Sequence, residues 1–127
     1  MADWNALRNY IKANYKVAQD DLSTIHLVFE AGNGRSQLVL VSEIPDSGWA
    51  QVSTAICDES QIDPREALIR NARMRVGGLA LIEGGPVIFR HSFPLATLDP
   101  DEFEEPLHIA AQFGDQLERE LAGGDRF

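Results

Sequence analysis

A single cysteine, Cys57, stands in the 127 residues. One thiol excludes an internal disulfide and a zinc site built on several thiolates. Histidine is nearly as scarce. His26, His91 and His108 are the three present, and no two of them stand at i, i+3 or i+4. A helix-borne pair of imidazole ligands is therefore missing, and we expect no metal. Long hydrophobic runs are missing too. Stretches such as Leu38-Val39-Leu40-Val41 are strand-sized, far short of the roughly 20 apolar residues that cross a bilayer as a helix. We expect no membrane partner. Met1-Ala2-Asp3-Trp4-Asn5 carries no basic segment followed by an apolar one, so no secretory signal is expected and the cytoplasm is the simplest compartment. Positive charge is short as well: 11 Lys and Arg face 20 Asp and Glu, for a net charge of -9. At that charge nucleic acid is repelled at long range, and we expect no nucleic-acid partner. The glycine pairs Gly77-Gly78 and Gly84-Gly85 lead neither into the Lys-Ser/Thr of a phosphate loop nor into a dinucleotide fingerprint, so both read as turns.

What is present suits one hydrophobic core. Apolar residues make up 44% and charged residues 24%, the balance of a globular chain rather than a disordered one. The expected arrangement is a single domain over residues 1–122 and a flexible C-terminal tail over 123–127. Trp4, Leu7, Ile11 and Tyr15 recur at steps of three and four, which places them on one face of a helix that Asp3 can cap. Beyond Leu22 the period changes to two: Ile25, Leu27 and Phe29 alternate with Thr24, His26 and Val28, as in a half-buried strand. Gly32-Asn33-Gly34 supplies a hairpin turn. The return strand over 37–42 is apolar on both faces in its middle, which predicts a central position in a sheet. A turn at Pro45-Asp46-Ser47-Gly48 leads to a third strand over 49–57, with Val52, Thr54 and Ile56 on one face.

Asp63-Pro64-Arg65-Glu66 opens a second helix: a cap carboxylate, proline at the first helical position, and glutamate three residues after the cap. Ala67, Leu68, Ile69 and Ala72 supply its apolar residues, and Gly77-Gly78 stops it. Strands over 79–82 and 87–93 follow. Asp99-Pro100-Asp101-Glu102 repeats the cap signal and opens a last helix with the stripe Phe103, Leu107, Ala110, Ala111, Gly114, Leu117 and Leu121. Pro106 inside that stripe is expected to bend the helix or to split off a short first turn. The order is α-β-β-β-α-β-β-α. Short links between successive strands favour antiparallel pairing, so the predicted fold is α+β, an antiparallel sheet with three helices packed on one face.

The chemistry-bearing residues read as structural. Strand positions suit His26 and His91 as hydrogen-bonded imidazoles. Asp58 and Glu59 beside Cys57 disfavour its thiolate, which suits a core side chain better than a nucleophile. The carboxylates of Asp99, Asp101, Glu102, Glu104 and Glu105 lie in the first turns of a helix, where negative charge complements the dipole. We therefore expect no catalytic residue, no cofactor and no enzyme. Arg65, Arg70, Arg73 and Arg75 form the one concentrated basic feature. They complement a helix C-terminus, or else form a docking patch for an acidic partner. Trp4, Trp49, Phe93 and Phe127 are candidate exposed anchors, with core packing the competing account of each.

The stretch from Ala67-Leu68-Ile69-Arg70-Asn71-Ala72 through Gly78-Leu79-Ala80-Leu81, Val87-Ile88-Phe89 and Phe93-Pro94-Leu95 to Ala110-Ala111-Gln112-Phe113-Gly114 resembles the type III secretion chaperone superfamily, and especially its YbjN-like relatives. That resemblance implies a small acidic bacterial homodimer without catalytic machinery, which binds a partner polypeptide by burying apolar side chains in surface grooves and adding strands to sheet edges. It places the second helix at the dimer interface, which nominates Leu68, Ile69, Ala72 and Met74. For partner binding the nominees are Trp49, Arg70, Arg73, Arg75 and Phe93. An alternative reading is a regulatory domain that holds a small ligand between sheet and helices, near His91 or Arg90. A third reading is an enzyme with a spatially assembled histidine and carboxylate, which a histidine within hydrogen-bond reach of a carboxylate in a cleft would favour.

Overall fold

A computed structural model describes residues 1–32 and 34–121. Helix α1 (Trp4–Asn14) is followed by strands β1 (Gln19–Asp20), β2 (Thr24–Gly32), β3 (Arg35–Ile44) and β4 (Trp49–Cys57). A 3-10 turn at Glu59–Gln61 then leads to helix α2 (Pro64–Arg73), strands β5 (Gly78–Leu81) and β6 (Val87–Pro94), and helix α3 (Pro100–Leu121). The expected fold class and order are observed, with the two-residue β1 added. All neighbours pair antiparallel, in the order β1-β2-β3-β4-β6-β5. The expected tail at 123–127, and Phe127 with it, lies outside the described residues, as does Asn33.

Register sorts the side chains into two faces. Ile25 pairs with Val41, Val41 with Val52, and Val52 with His91, so one row crosses four strands. That face holds the core: Ile25, Leu27, Val39, Val41, Ala50, Val52, Ile56 and Phe89 are all within a percent or so of full burial. Trp4, Leu7 and Ile11 of α1 and the predicted stripe of α3 complete it. Across the opposite face Val28 pairs with Leu38, and both remain exposed. The helices cover one face only.

Their starts differ. Asp3 caps α1 by accepting the Ala6 amide at 2.9 Å. At α3 the reciprocal box forms: Asp99 Oδ1 accepts the Glu102 amide at 2.8 Å, and Glu102 Oε1 accepts the Asp99 amide at 3.0 Å. The same residue pattern at α2 does not close. Asp63 makes no side-chain cap bond, and Glu66, the residue that would reach back, is paired with Arg70 at 3.0 Å instead. Pro106 neither stops α3 nor splits it; one helix of 22 residues runs through it. The stripe around Pro106 is buried, and packing outweighs the lost backbone bond.

One close approach sets the spacing between α3 and the sheet. A methyl group at Gly114 would stand 2.7 Å from Thr54 Cγ2 and 3.0 Å from Gln37 Nε2. Beneath that glycine lies a small polar layer in an otherwise apolar core. Gln37 Nε2 donates to Thr54 Oγ1 at 2.6 Å, and Thr54 Oγ1 donates to the Leu38 carbonyl at 2.7 Å.

Candidate partner-binding surface

Helix α2 is the anomaly of the fold. None of its residues is buried. Its apolar positions 67, 68, 69 and 72 spread around the helix instead of forming a stripe, so one face cannot bury them all. A polar clasp holds it in place: Leu79 of β5 donates its amide to Asn71 Oδ1 at 2.7 Å, and Asn71 Nδ2 donates to the Leu79 carbonyl at 3.2 Å. Leu68 is consequently 69% exposed, and Leu81 on the neighbouring edge strand is 54% exposed. Ile69 and Ile82 are exposed as well. Apolar surface gathered at one end of a small domain marks an interaction site more often than chance exposure.

The nominated α2 residues divide between two grooves. Leu68 lines a hollow of about 260 Å³ against β5, with Ala67, Leu79 and Leu81. Ile69 and Met74 line one of about 500 Å³ against α3, with Ile109 and Phe113. Ala72 is exposed. The arginines border the second groove. Arg70 is held by Glu66 and by Glu120 at 3.4 Å, and Arg75 meets Glu105 at 3.3 Å. Arg73 has no ion-pair partner among the described residues.

Two of the four expected aromatic anchors are core residues. Trp4 is buried, its indole donating to the Leu22 carbonyl at 2.7 Å. Phe93 is 4% exposed, with its ring edge-on to Phe103 at 6.0 Å. Their burial removes both from the exposed set: each side chain completes the layer between sheet and helices. Trp49 stays 43% exposed, at the mouth of a third groove of about 400 Å³ that also holds His91. That groove opens at the sheet margin and is no closed pocket between sheet and helices. Burial and the Arg90 charge push the His91 imidazole below its ordinary value. Arg90 itself turns to the uncovered sheet face and donates twice to Gln51 Oε1.

Two histidine–carboxylate pairs form. His26 meets Asp21 at 3.0 Å in an exposed loop-to-strand contact. His108 meets Glu104 at 3.1 Å, and there Glu104 also accepts from Tyr10 at 2.6 Å and from Tyr15. The four side chains latch α1 to α3. Burial raises the Glu104 carboxyl, but the bonds from Tyr10, Tyr15 and His108 outweigh it and hold the group below its usual range. A carboxylate engaged three ways is a poor proton acceptor, so the cluster reads as a clamp. Its stabilisation is present in full above the unfolded carboxyl value, about 4.3, and disappears as pH falls through the lower folded value. Glu104→Gln is accordingly expected to lower the melting temperature at pH 7 and to flatten its decline below about pH 5, where the unfolded group protonates. Parallel acid limbs in the two proteins would contradict the clamp. Burial, with the Asp58 charge second, pushes the Cys57 thiol up, and the side chain sits fully inside the core. Among the described residues no group of three or more His, Cys, Asp and Glu gathers where a metal could sit, and no helix is long and apolar enough to cross a membrane.

No protein-family model and no curated protein matches this sequence. A chain of the solved HopA1–SchA chaperone–effector complex is similar in structure, with a TM-score of 0.67 over 91% of this chain and 91% of that one, at 12% identity. At that identity the likeness is one of fold. The α+β fold implied by the sequence resemblance is the one observed, and nothing in the match singles out the YbjN-like relatives.

Proposed function

We propose that this chain is a non-enzymatic, chaperone-like module that acts as a homodimer and binds a partner polypeptide. The observation that carries the reading is α2, a helix with no buried residue that presents Leu68 and Ile69 to solvent beside Leu81 and Ile82. Covering such side chains is worth on the order of 1 kcal/mol each, so four of them on each of two copies contribute about 8 kcal/mol against the cost of association. The dimer surface is centred on Leu68 and Ala72 and extends to Leu81 and Ile82. Ile69 lies at its rim and Met74 turns toward α3. Trp49, Arg70, Arg73 and Arg75 remain for the partner. The fold is consistent with this role, since a chaperone–effector complex contains it too. A cytoplasmic location and kinship with the YbjN-like relatives belong to the same proposal.

Sedimentation should give about twice the 14.1 kDa of one chain. Leu68→Asp should halve that mass while leaving the circular dichroism spectrum unchanged, because the side chain is exposed in the single chain. Ile69→Asp should weaken the dimer less. A monomeric unaltered protein, or an unchanged mass in both variants, would remove α2 as the interface.

A further inference from the structure

The two larger grooves lie end to end. The first, between α2 and α3, has Ile69, Met74, Ile109 and Phe113 in its walls, with Arg70 and Arg73 above them. The second, between the end of β6 and the first turns of α3, is bounded by Trp49, His91, Glu102 and Pro106. Val76 lines both. On α3 the wall positions 102, 105, 106, 109 and 113 follow steps of three and four and so form one continuous stripe. At 1.5 Å per residue the stripe is about 17 Å long, the span of five extended residues. The ion pair between Arg75 and Glu105 marks the junction at 3.3 Å, with side chains 84% and 57% exposed. An exposed pair of that length contributes little stability and gives way readily.

We propose that the two grooves are one trough that receives a segment of another protein lengthwise, and that an acidic side chain of that segment takes the place of Glu105 at Arg75. The proposal rests on the partner-binding reading above and names the chemistry of the partner. Arg70 and Arg73 lie at the α2 end with Glu66, Arg75 and Glu105 meet at the junction, and Glu102 lies at the other end, so cations outnumber carboxylates only on the α2 side. The trough is therefore electrically polar and orients what it holds. Carboxylates of the segment sit toward Arg73, bulky apolar side chains enter between Ile69 and Phe113, and a cationic or neutral residue ends near Trp49. The chain as a whole carries a net charge of -9, which disfavours acidic partners, so the arginine end is where such a segment can approach. Nucleic acid fits poorly, since the trough's other half is acidic.

The test uses dodecamer peptides selected from a random displayed library against the full chain. Selected sequences should carry Asp or Glu on one side of two bulky apolar residues. A peptide with that consensus should shift the emission of Trp49, the exposed one of the two tryptophans. Arg73→Glu should weaken binding at least tenfold. Glu105→Gln should strengthen it severalfold by removing the carboxylate that competes for Arg75, an effect no general loss of structure would produce. If the selected peptides lack an acidic position, or bind both variants as tightly as the unaltered chain, the trough assignment is overturned while partner binding stands. If no peptide is selected, both are overturned.

Discussion

Gly77→Ala is expected to cost about 2–5 kcal/mol of unfolding free energy. Two independent penalties add. Gly77 holds φ at +69°, in the left-handed region, where a side chain costs about 1–2 kcal/mol. The added methyl would also stand 2.5 Å from Phe89 Cζ and 2.7 Å from the Arg90 carbonyl oxygen. Neither can retreat. Phe89 is fully buried and stacked on Phe113 at 5.8 Å, and the carbonyl belongs to a paired strand, so about 1–3 kcal/mol of overpacking follows. Gly48→Ala is the control: its φ is +75° but nothing lies within 4 Å, so only the conformational penalty applies. Urea midpoints should place the Gly77 variant well below the Gly48 variant. Equal midpoints would mean that Phe89 yields, and would sink the steric part of the account.

Phe103→Ala should cost about 3–5 kcal/mol, the range for deleting a large ring from a core that cannot collapse around the void. Phe103 is fully buried where three elements meet, edge-on to Tyr10 of α1 at 6.0 Å and to Phe93 of β6 at the same distance. Removing it loosens α1 as well as α3, since Glu104, the next residue, accepts the bonds from Tyr10 and Tyr15. Phe103→Leu keeps most of the volume and should cost less than half as much. Denaturation by urea reads both. A loss below about 2 kcal/mol for the alanine variant would show that the surrounding side chains refill the site.

Period and caps made the element order legible, because Leu7 and Ile11, or Ile25 and Leu27, repeat at the spacing their structures impose. Three kinds of feature lay beyond that reading. Strand β1 has two residues, too few for any period, and exists because Gln19 and Asp20 meet His26 and Ile25 across a turn. Gln37 is a polar residue in full burial, explicable only once Gly114 brings α3 down onto it. The attachment of α2 depends on Asn71 and Leu79, a side-chain bond to a later strand, so pattern alone could not say which of Leu68, Ile69 and Ala72 face solvent. The candidate surface was half visible. The arginines stood out by composition, but Val76, Ile109 and Phe113 join them only through folding. Aromatic residue type did not separate exposed Trp49 from buried Trp4 and Phe93. The Tyr10–Tyr15–Glu104–His108 clamp had one legible sign, the i, i+4 spacing of Glu104 and His108. Its tyrosines come from 94 and 89 residues away.

The interior position of Cys57 has a practical corollary. A sulfhydryl that water does not reach stays unmodified by alkylating reagents as long as the surrounding layer is shut. With reagent concentrated enough to react before the layer recloses, the rate of labelling counts openings of the native state. The chain thus carries its own stopwatch for breathing, placed at the end of β4 and usable without any engineered probe.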